Sequence, residues 1–307
     1  ILVSETCFQR VQKIAEFQPA GPFWLKGYDQ PVSAYQFVGL LEGDLSARQL
    51  RMIRSPIVGR ENQLSGIIKQ MSDVQAESKG RMIFLHGEAG IGKSRLISEI
   101  RTTLIEKNII SITGHCFTYK KSIQYWVLQD MLRHFLNLTG NESRAEQMRI
   151  ISTHIRNIPN QNKPDTVQLL LWMLGTLPQA EFQKTAVSLL DPEQLQREVF
   201  LTVRDILFQT AADRPIALIF EDMHWADESS LQFLAFISRK LIDLPILVIV
   251  ATRTIADENF VNLIKVAGVE LGNRISHVPL RRLDDPSSRT LVQNLLHPHM
   301  IPEGIIK

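Results

Sequence analysis

The chain has 307 residues, 44% of them apolar and 21% charged, with a net charge of +2. That length suggests about two domains, or one domain with flanking pieces, and the composition is that of a soluble globular protein of the cytoplasm. The near-neutral charge offers no basic face for nucleic acid, and no apolar run approaches the ~18 residues of a membrane span.

The chain opens on Ile1-Leu2-Val3-Ser4, inside a strand-like segment, and stops at Ile305-Ile306-Lys307 without a terminating feature. It reads as a fragment of a longer protein. Residues 1–39 form a small α/β remnant. Ile1 to Val3 is strand-like, and Ser4 caps a helix over Glu5–Ile14. Phe23–Gly27 and Val32–Val38 read as two strands with Gly27 and Pro31 at the turn. Such a piece is too short to bury a core alone. Residues 40–56 are polar and basic, end at Ser55-Pro56, and read as a linker. Cys7 and Cys116 form no ligand pattern; each reads as a small buried apolar residue in a reducing compartment.

From residue 57 strands and helices alternate. The strands fall at 82–86, 109–113, 216–220, 246–251 and 276–280. This pattern predicts an α/β fold: a parallel five-stranded sheet covered by helices on both faces. Residues 118–200 break the rhythm with a helical insertion. Asp191-Pro192-Glu193-Gln194 marks a helix start, with Asp as N-cap, Pro at N1 and Gln at N3. The domain so delimited spans 57–283, and 284–307 reads as the start of a further helical domain.

Gly87-Glu88-Ala89-Gly90-Ile91-Gly92-Lys93-Ser94 fits G-x-x-x-x-G-K-[ST], the phosphate-binding P-loop. Its glycines let backbone N–H groups face a β-phosphate. Lys93 is suited to the β- and γ-phosphates and the Ser94 hydroxyl to Mg²⁺. A strand-like run precedes the loop, and a helical pattern beginning at Ser94 and Arg95 follows it. That helix start adds its positive dipole end to the phosphate site.

A P-loop needs a carboxylate on a neighbouring strand to hold the metal. Ile216–Phe220 is a buried strand ending in Glu221 and Asp222. Glu221 takes the metal position, and Asp222 the role of orienting or deprotonating the attacking water. Leu247–Ala251 ends in Thr252-Arg253, where Arg253 is either a γ-phosphate sensor or a solvated arginine. His224 and Trp225 read either as a phosphate or water contact or as packing.

These motifs carry a resemblance. Ile57-Val58-Gly59-Arg60-Glu61, Gly87–Ser94, Glu221-Asp222-Met223-His224-Trp225-Ala226-Asp227 and Ala251-Thr252-Arg253, in that order, resemble the AAA/STAND class of signal-transduction ATPases, P-loop NTPases of the type attached to cyclases, kinases and LuxR-type regulators. The resemblance implies ATP and Mg²⁺ as ligands, slow hydrolysis, and an adenine beside Val58, Gly59 and Arg60. Glu221 stands where Asp is common. Residues 1–39 resemble the C-terminal end of a class III nucleotide cyclase domain, on Ile1-Leu2-Val3-Ser4-Glu5, Leu25-Lys26-Gly27, Pro31 and Tyr35-Gln36-Phe37-Val38. This implies a parent similar to soluble adenylyl cyclases, in which the attached cyclase is the partner and only the longer protein makes cyclic nucleotide. ATP or ADP would be the bound ligand, and a homo-oligomer is compatible. The alternatives are a nucleotide-holding scaffold without turnover, or the ATPase module of a LuxR- or kinase-type regulator.

Overall fold

The computed structural model describes residues 2–12, 15–24, 30–40, 56–140, 142–156, 158, 164–253 and 258–295. The chain divides into two compact units, residues 59–284 and residues 1–58 with 285–307.

In the smaller unit, β1 (Leu2–Ser4) leads straight into α1 (Glu5–Val11), followed by β2 (Ala15–Phe23) and β3 (Val32–Leu40). The three strands form an antiparallel sheet in the order β1-β3-β2. Phe8 on α1 stacks on Tyr35 of β3 at 4.0 Å between ring centroids, and the Tyr35 hydroxyl donates to the Glu5 carboxylate. Those contacts fix the helix on the sheet. The helix expected to reach Ile14 ends at Val11, and the strand expected at 23–27 lies instead at Ala15–Phe23. Pro19, Gly21 and Pro22 argue against a strand by composition. The strand tolerates them because it is an edge, paired among the described residues with β3 alone, with register shifts at Glu16/Phe17 and Pro19/Gly21. Gly27 and most of the expected linker, 41–55, lie outside the described residues. Cys7 is exposed on α1, against the expectation of burial, whereas Cys116 is buried.

The larger unit runs α2 (Glu61–Glu77), β4 (Arg81–His86), α3 (Lys93–Glu106), β5 (Ile110–His115), then a helical insertion. The insertion holds α4 (Trp126–Phe135), α5 (Arg144–Ile155), α6 (Pro164–Met173), α7 (Gln179–Phe182) and α8 (Pro192–Asp213). The chain then returns through β6 (Ile216–Glu221), α9 (Glu228–Leu241), β7 (Ile246–Thr252), α10 (Glu258–Leu271) and β8 (Ile275–Pro279). Helix α11 (Asp285–Leu295) follows and groups with the smaller unit.

The five strands are parallel, in the order β5-β6-β7-β4-β8. Every residue of β6 and β7 is buried, which requires cover on both faces and explains their unbroken apolar runs. From sequence the carboxylate strand β6 is expected beside the P-loop strand β4; instead β7 lies between them. Chain order carries no information on this, because helical crossovers let a strand be inserted between two earlier ones.

The start of α8 takes the expected form. Asp191 accepts from the Gln194 N–H at 2.8 Å, and the Gln194 side chain accepts from the Asp191 N–H at 3.2 Å. No described helix is long and apolar enough to cross a membrane.

Between α4 and α5, Glu142 accepts from the Thr139 and Gly140 N–H groups and from the Thr139 hydroxyl. The backbone bond from Thr139 is the largest cause of a carboxyl pKa lowered to about 2 from 4.5. A depressed folded-state pKa stabilises above the unfolded value, and that gain fades as pH falls through the folded one. Glu142→Gln therefore lowers the thermal unfolding midpoint at pH 7, with a gap to the unaltered chain that narrows below about 4.5 towards about 2. Melting curves across that range check it.

Candidate nucleotide site

β4 ends at His86, level with Thr252 of β7, and β7 in turn holds Phe220 of β6 level with Val250. Three strands thus end along one edge of the sheet. Glu221 closes β6, and the next residues out of the three strands are the P-loop, Arg253 and Asp222. Ligand sites of open α/β sheets lie at this carboxyl edge.

The loop after β4 is shaped by two glycines. A Cβ on Gly87 would stand 2.7 Å from the Leu280 carbonyl, in the segment after β8 that also donates its N–H to His86 O at 2.7 Å. Gly92 sits at φ +100° and is the N-cap of α3 with no side-chain cap. No N-cap side chain therefore covers the start of α3, the arrangement that receives an anion. Glu88, Ala89 and Gly90 are exposed, and Ile91 is half-buried. Lys93 is 8% exposed, and its ammonium donates to the carbonyls of Gly87 at 2.8 Å and Glu88 at 2.9 Å. Burial pulls its pKa below the usual lysine range; the Asp222 charge opposes that and the Arg253 charge adds to it. Lys93, Asp222 and Arg253 thus share one electrostatic neighbourhood.

Ser94 is exposed on the first turn of α3, and Arg95 pairs with Glu99 one turn on. Arg253 is exposed, its guanidinium 5.3 Å from the Trp225 ring centre. Asp222 has a left-handed backbone, φ 54°, and a half-exposed carboxylate. Such a φ is uncommon outside glycine and is often kept at functional sites. Of the three residues expected beside adenine, Val58 is half-buried and Gly59 sits at φ +67°. Arg60 is buried, and its guanidinium donates to the carbonyls of Ile91 and Arg281. It braces the P-loop against the segment after β8.

Comparison with known proteins agrees with this geometry. The AAA ATPase domain model matches residues 56–249, more than half of the chain. The chain belongs to the AAA ATPase domain family. Its ligand class is therefore a nucleotide. A curated relative, the uncharacterized protein R02095 of Rhizobium meliloti (strain 1021), is 23% identical over 253 residues, which is 82% of this chain and 24% of the relative. The chain thus spans about a quarter of the length of that relative. Among solved structures, Cdc6p of Pyrobaculum aerophilum aligns with a TM-score of 0.45 at 11% identity, over 80% of this chain and 52% of that one. A STAND protein with a tetratricopeptide repeat sensor from Pyrococcus horikoshii aligns at 0.36 with 15% identity, over 82% and 28%. At such distances no ligand or partner is transferred.

One group in this AAA ATPase domain escaped the sequence reading. His115 ends β5, level with Glu221 of β6. Its Nδ1 lies 2.9 Å from Asp130 on α4, and its Nε2 lies 3.5 Å from the Glu221 carboxylate. The His115 N–H also donates to Asp130 at 2.9 Å, and the Trp126 indole donates to the His115 carbonyl at 3.0 Å. Hydrogen bonding to Asp130, then to Glu221, raises the imidazole pKa to about 9, against burial. His115 is thus a cation between two carboxylates, one of them the expected metal ligand. A polar residue closing an apolar strand was the available signal, but its partner lies across the sheet. His115→Ala leaves Asp130 and Glu221 without that cation and costs about 1–2 kcal/mol, the buried-pair penalty reduced by solvent screening. Denaturant unfolding checks it.

Proposed function

We propose that the chain is an ATP-driven switch that binds Mg-ATP at Gly87–Ser94, hydrolyses it slowly and passes its state to an attached class III nucleotide cyclase. The observation that carries this reading is the convergence of Lys93, Asp222 and Arg253 at one strand edge beside an uncapped helix start. On this reading Gly87–Gly92 and the α3 N–H groups cradle the β-phosphate, with Arg95 beside them. Lys93 leaves the Gly87 and Glu88 carbonyls for the phosphates, and Val58, Gly59 and Arg60 flank the adenine.

Mg²⁺ is the metal that fits. Ser94 and Glu221 supply oxygen donors, the ligand type and the small number that Mg²⁺ takes from protein when phosphates provide the rest. Its role when bound is to neutralise charge on the β- and γ-phosphates. Asp222 accepts a proton from water as the water oxygen bonds to the γ-phosphorus. The bond from that phosphorus to the β-γ bridging oxygen breaks, and ADP leaves with that oxygen. Arg253 stabilises the charge on the transferring group and senses its loss. Elements held by the γ-phosphate then relax, the logic of nucleotide switches.

The cyclase as output rests on the sequence resemblance of residues 1–39. A homo-oligomer is compatible with this reading, and no nucleic acid is invoked.

Phosphate release from Mg-ATP by the purified chain tests the core of the reading. Lys93→Ala is expected to abolish binding of ATP and release together. Asp222→Asn is expected to bind ATP within about twofold and to lose roughly a hundredfold in kcat, the range for a general base. An unaltered chain that binds ATP and releases no phosphate would instead be a nucleotide-holding module. In the longer parent, a Lys93→Ala change that leaves cyclic nucleotide formation unaltered would remove the cyclase output.

A further inference from the structure

The loop after β6 is pinned at both ends. At its start, the Cys116 N–H donates to the Glu221 carbonyl at 3.0 Å. The Trp225 and Ala226 N–H groups close a short 3₁₀ turn on Asp222 and Met223 at 2.9 and 3.0 Å. At its end, Asp227 caps α9 through the Ser230 N–H at 3.1 Å and accepts from the Tyr125 N–H at 3.0 Å. Within this well-satisfied loop one side chain is not satisfied. Both ring nitrogens of His224 are buried and have no hydrogen-bond partner among the described residues. A buried polar group without a partner is destabilising and calls for an explanation.

The polar atom that approaches is on Asp222. Its carboxylate oxygen lies 4.0 Å from His224 Nδ1, about 1 Å beyond hydrogen-bond range. The two side chains differ in freedom. The His224 ring packs on Trp225, with centroids 4.9 Å apart, and is largely buried. The Asp222 carboxylate is half exposed and can turn about its own side-chain bonds. The charged groups facing His224 are Arg253, Asp222 and Lys93. Burial first, then the Arg253 charge, holds the imidazole below its usual pKa, and an imidazole in either protonation state has a ring N–H to donate.

We propose that His224 is the positioning residue for Asp222: its ring N–H takes the Asp222 carboxylate as acceptor and holds it towards the water that attacks the γ-phosphate. The proposal rests on Asp222 being the base of an ATP-hydrolysing site. It gives His224 the part that an orienting group has behind any general base: it fixes the carboxylate without touching the nucleotide. It also accounts for the orphaned nitrogens, because the closed arrangement satisfies one of them.

The test uses the full 307-residue chain with three substitutions: His224→Phe, His224→Asn and Asp222→Asn. Phe keeps a ring for packing and removes the donor. Asn places an amide N–H close to where Nδ1 stands. His224→Phe is expected to lower kcat about tenfold, with KM and the affinities for ATP and ADP within twofold and the melting temperature unchanged or higher. His224→Asn is expected to recover kcat to within about threefold. The His224→Phe, Asp222→Asn double variant should be no slower than Asp222→Asn alone, because the two residues act as one unit. Unaltered kcat in His224→Phe, or multiplying losses in the double variant, overturns the pairing.

Ring ¹⁵N NMR of His224 reads the pairing without turnover. The proton is expected on Nδ1, and Asp222→Asn is expected to shift that nitrogen's resonance. A resonance indifferent to Asp222 overturns the proposal. If phosphate release is absent from the unaltered chain, or unchanged by Asp222→Asn, the hydrolytic reading fails, and the spectrum still decides whether the two side chains are partners.

Discussion

Parallel pairing of β7 with both β4 and β6 is the constraint on which the site depends. The pairing sets His86 against Thr252 and Val250 against Phe220, so three apolar runs far apart in the chain end on one line. Each then delivers polar residues to the same edge: Lys93 from the P-loop, Arg253 after β7, and Glu221 at the end of β6 with Asp222 after it. A slip of two residues in either pairing would displace an acid or the arginine by about 7 Å, the rise of two strand residues. The complete burial of β6 and β7 makes such a slip costly, since it would pull apolar side chains out of contact with the covering helices.

The same edge joins the sheet to the helical insertion. His115 closes β5 and lies between Asp130 on α4 and Glu221 on β6, while Trp126 of α4 donates to its carbonyl. Tyr125, just before α4, donates its N–H to Asp227, which caps α9. The start of the insertion is therefore tied to the end of the loop that carries Asp222 and His224 by the Tyr125 bond, and to Glu221 before that loop through His115. Glu221, the residue proposed to hold the metal, and α4 of the insertion thus share one imidazole as their electrostatic partner. Cys116 belongs to this region as packing: it is buried, with its thiol against the Met223 sulfur at 3.5 Å, and burial pushes its pKa up.

The loop 222–227 combines rigidity with one unmet requirement. Its backbone bonds and the Asp227 cap fix it, Asp222 adopts a left-handed backbone, and the His224 nitrogens have no hydrogen-bond partner among the described residues. Asp is among the few non-glycine residues that take such a conformation readily, so one residue serves the turn and the chemistry proposed for it. Arg253, stacked on Trp225, extends the same cluster towards the P-loop.

What the sequence determined by itself was local. The P-loop is a contiguous pattern whose backbone shape follows from its glycines, and the five strands and the α8 capping box follow from periodicity and from side chains reaching no further than one turn. Glu221, Asp222 and Arg253 were visible as polar residues closing apolar strands. What only tertiary structure decided was non-local. The order β5-β6-β7-β4-β8 inserts β7 between the P-loop strand and the carboxylate strand, and helical crossovers leave such an order free. The edge status of β2 excused Pro19 and Pro22, and edge status is a property of the sheet. Arg60 found its acceptors at Ile91 and Arg281, and His115 found Asp130 and Glu221, through contacts across many residues of chain. Hydrogen bonds and ion pairs of this kind depend on distance in space, which a one-dimensional pattern does not contain.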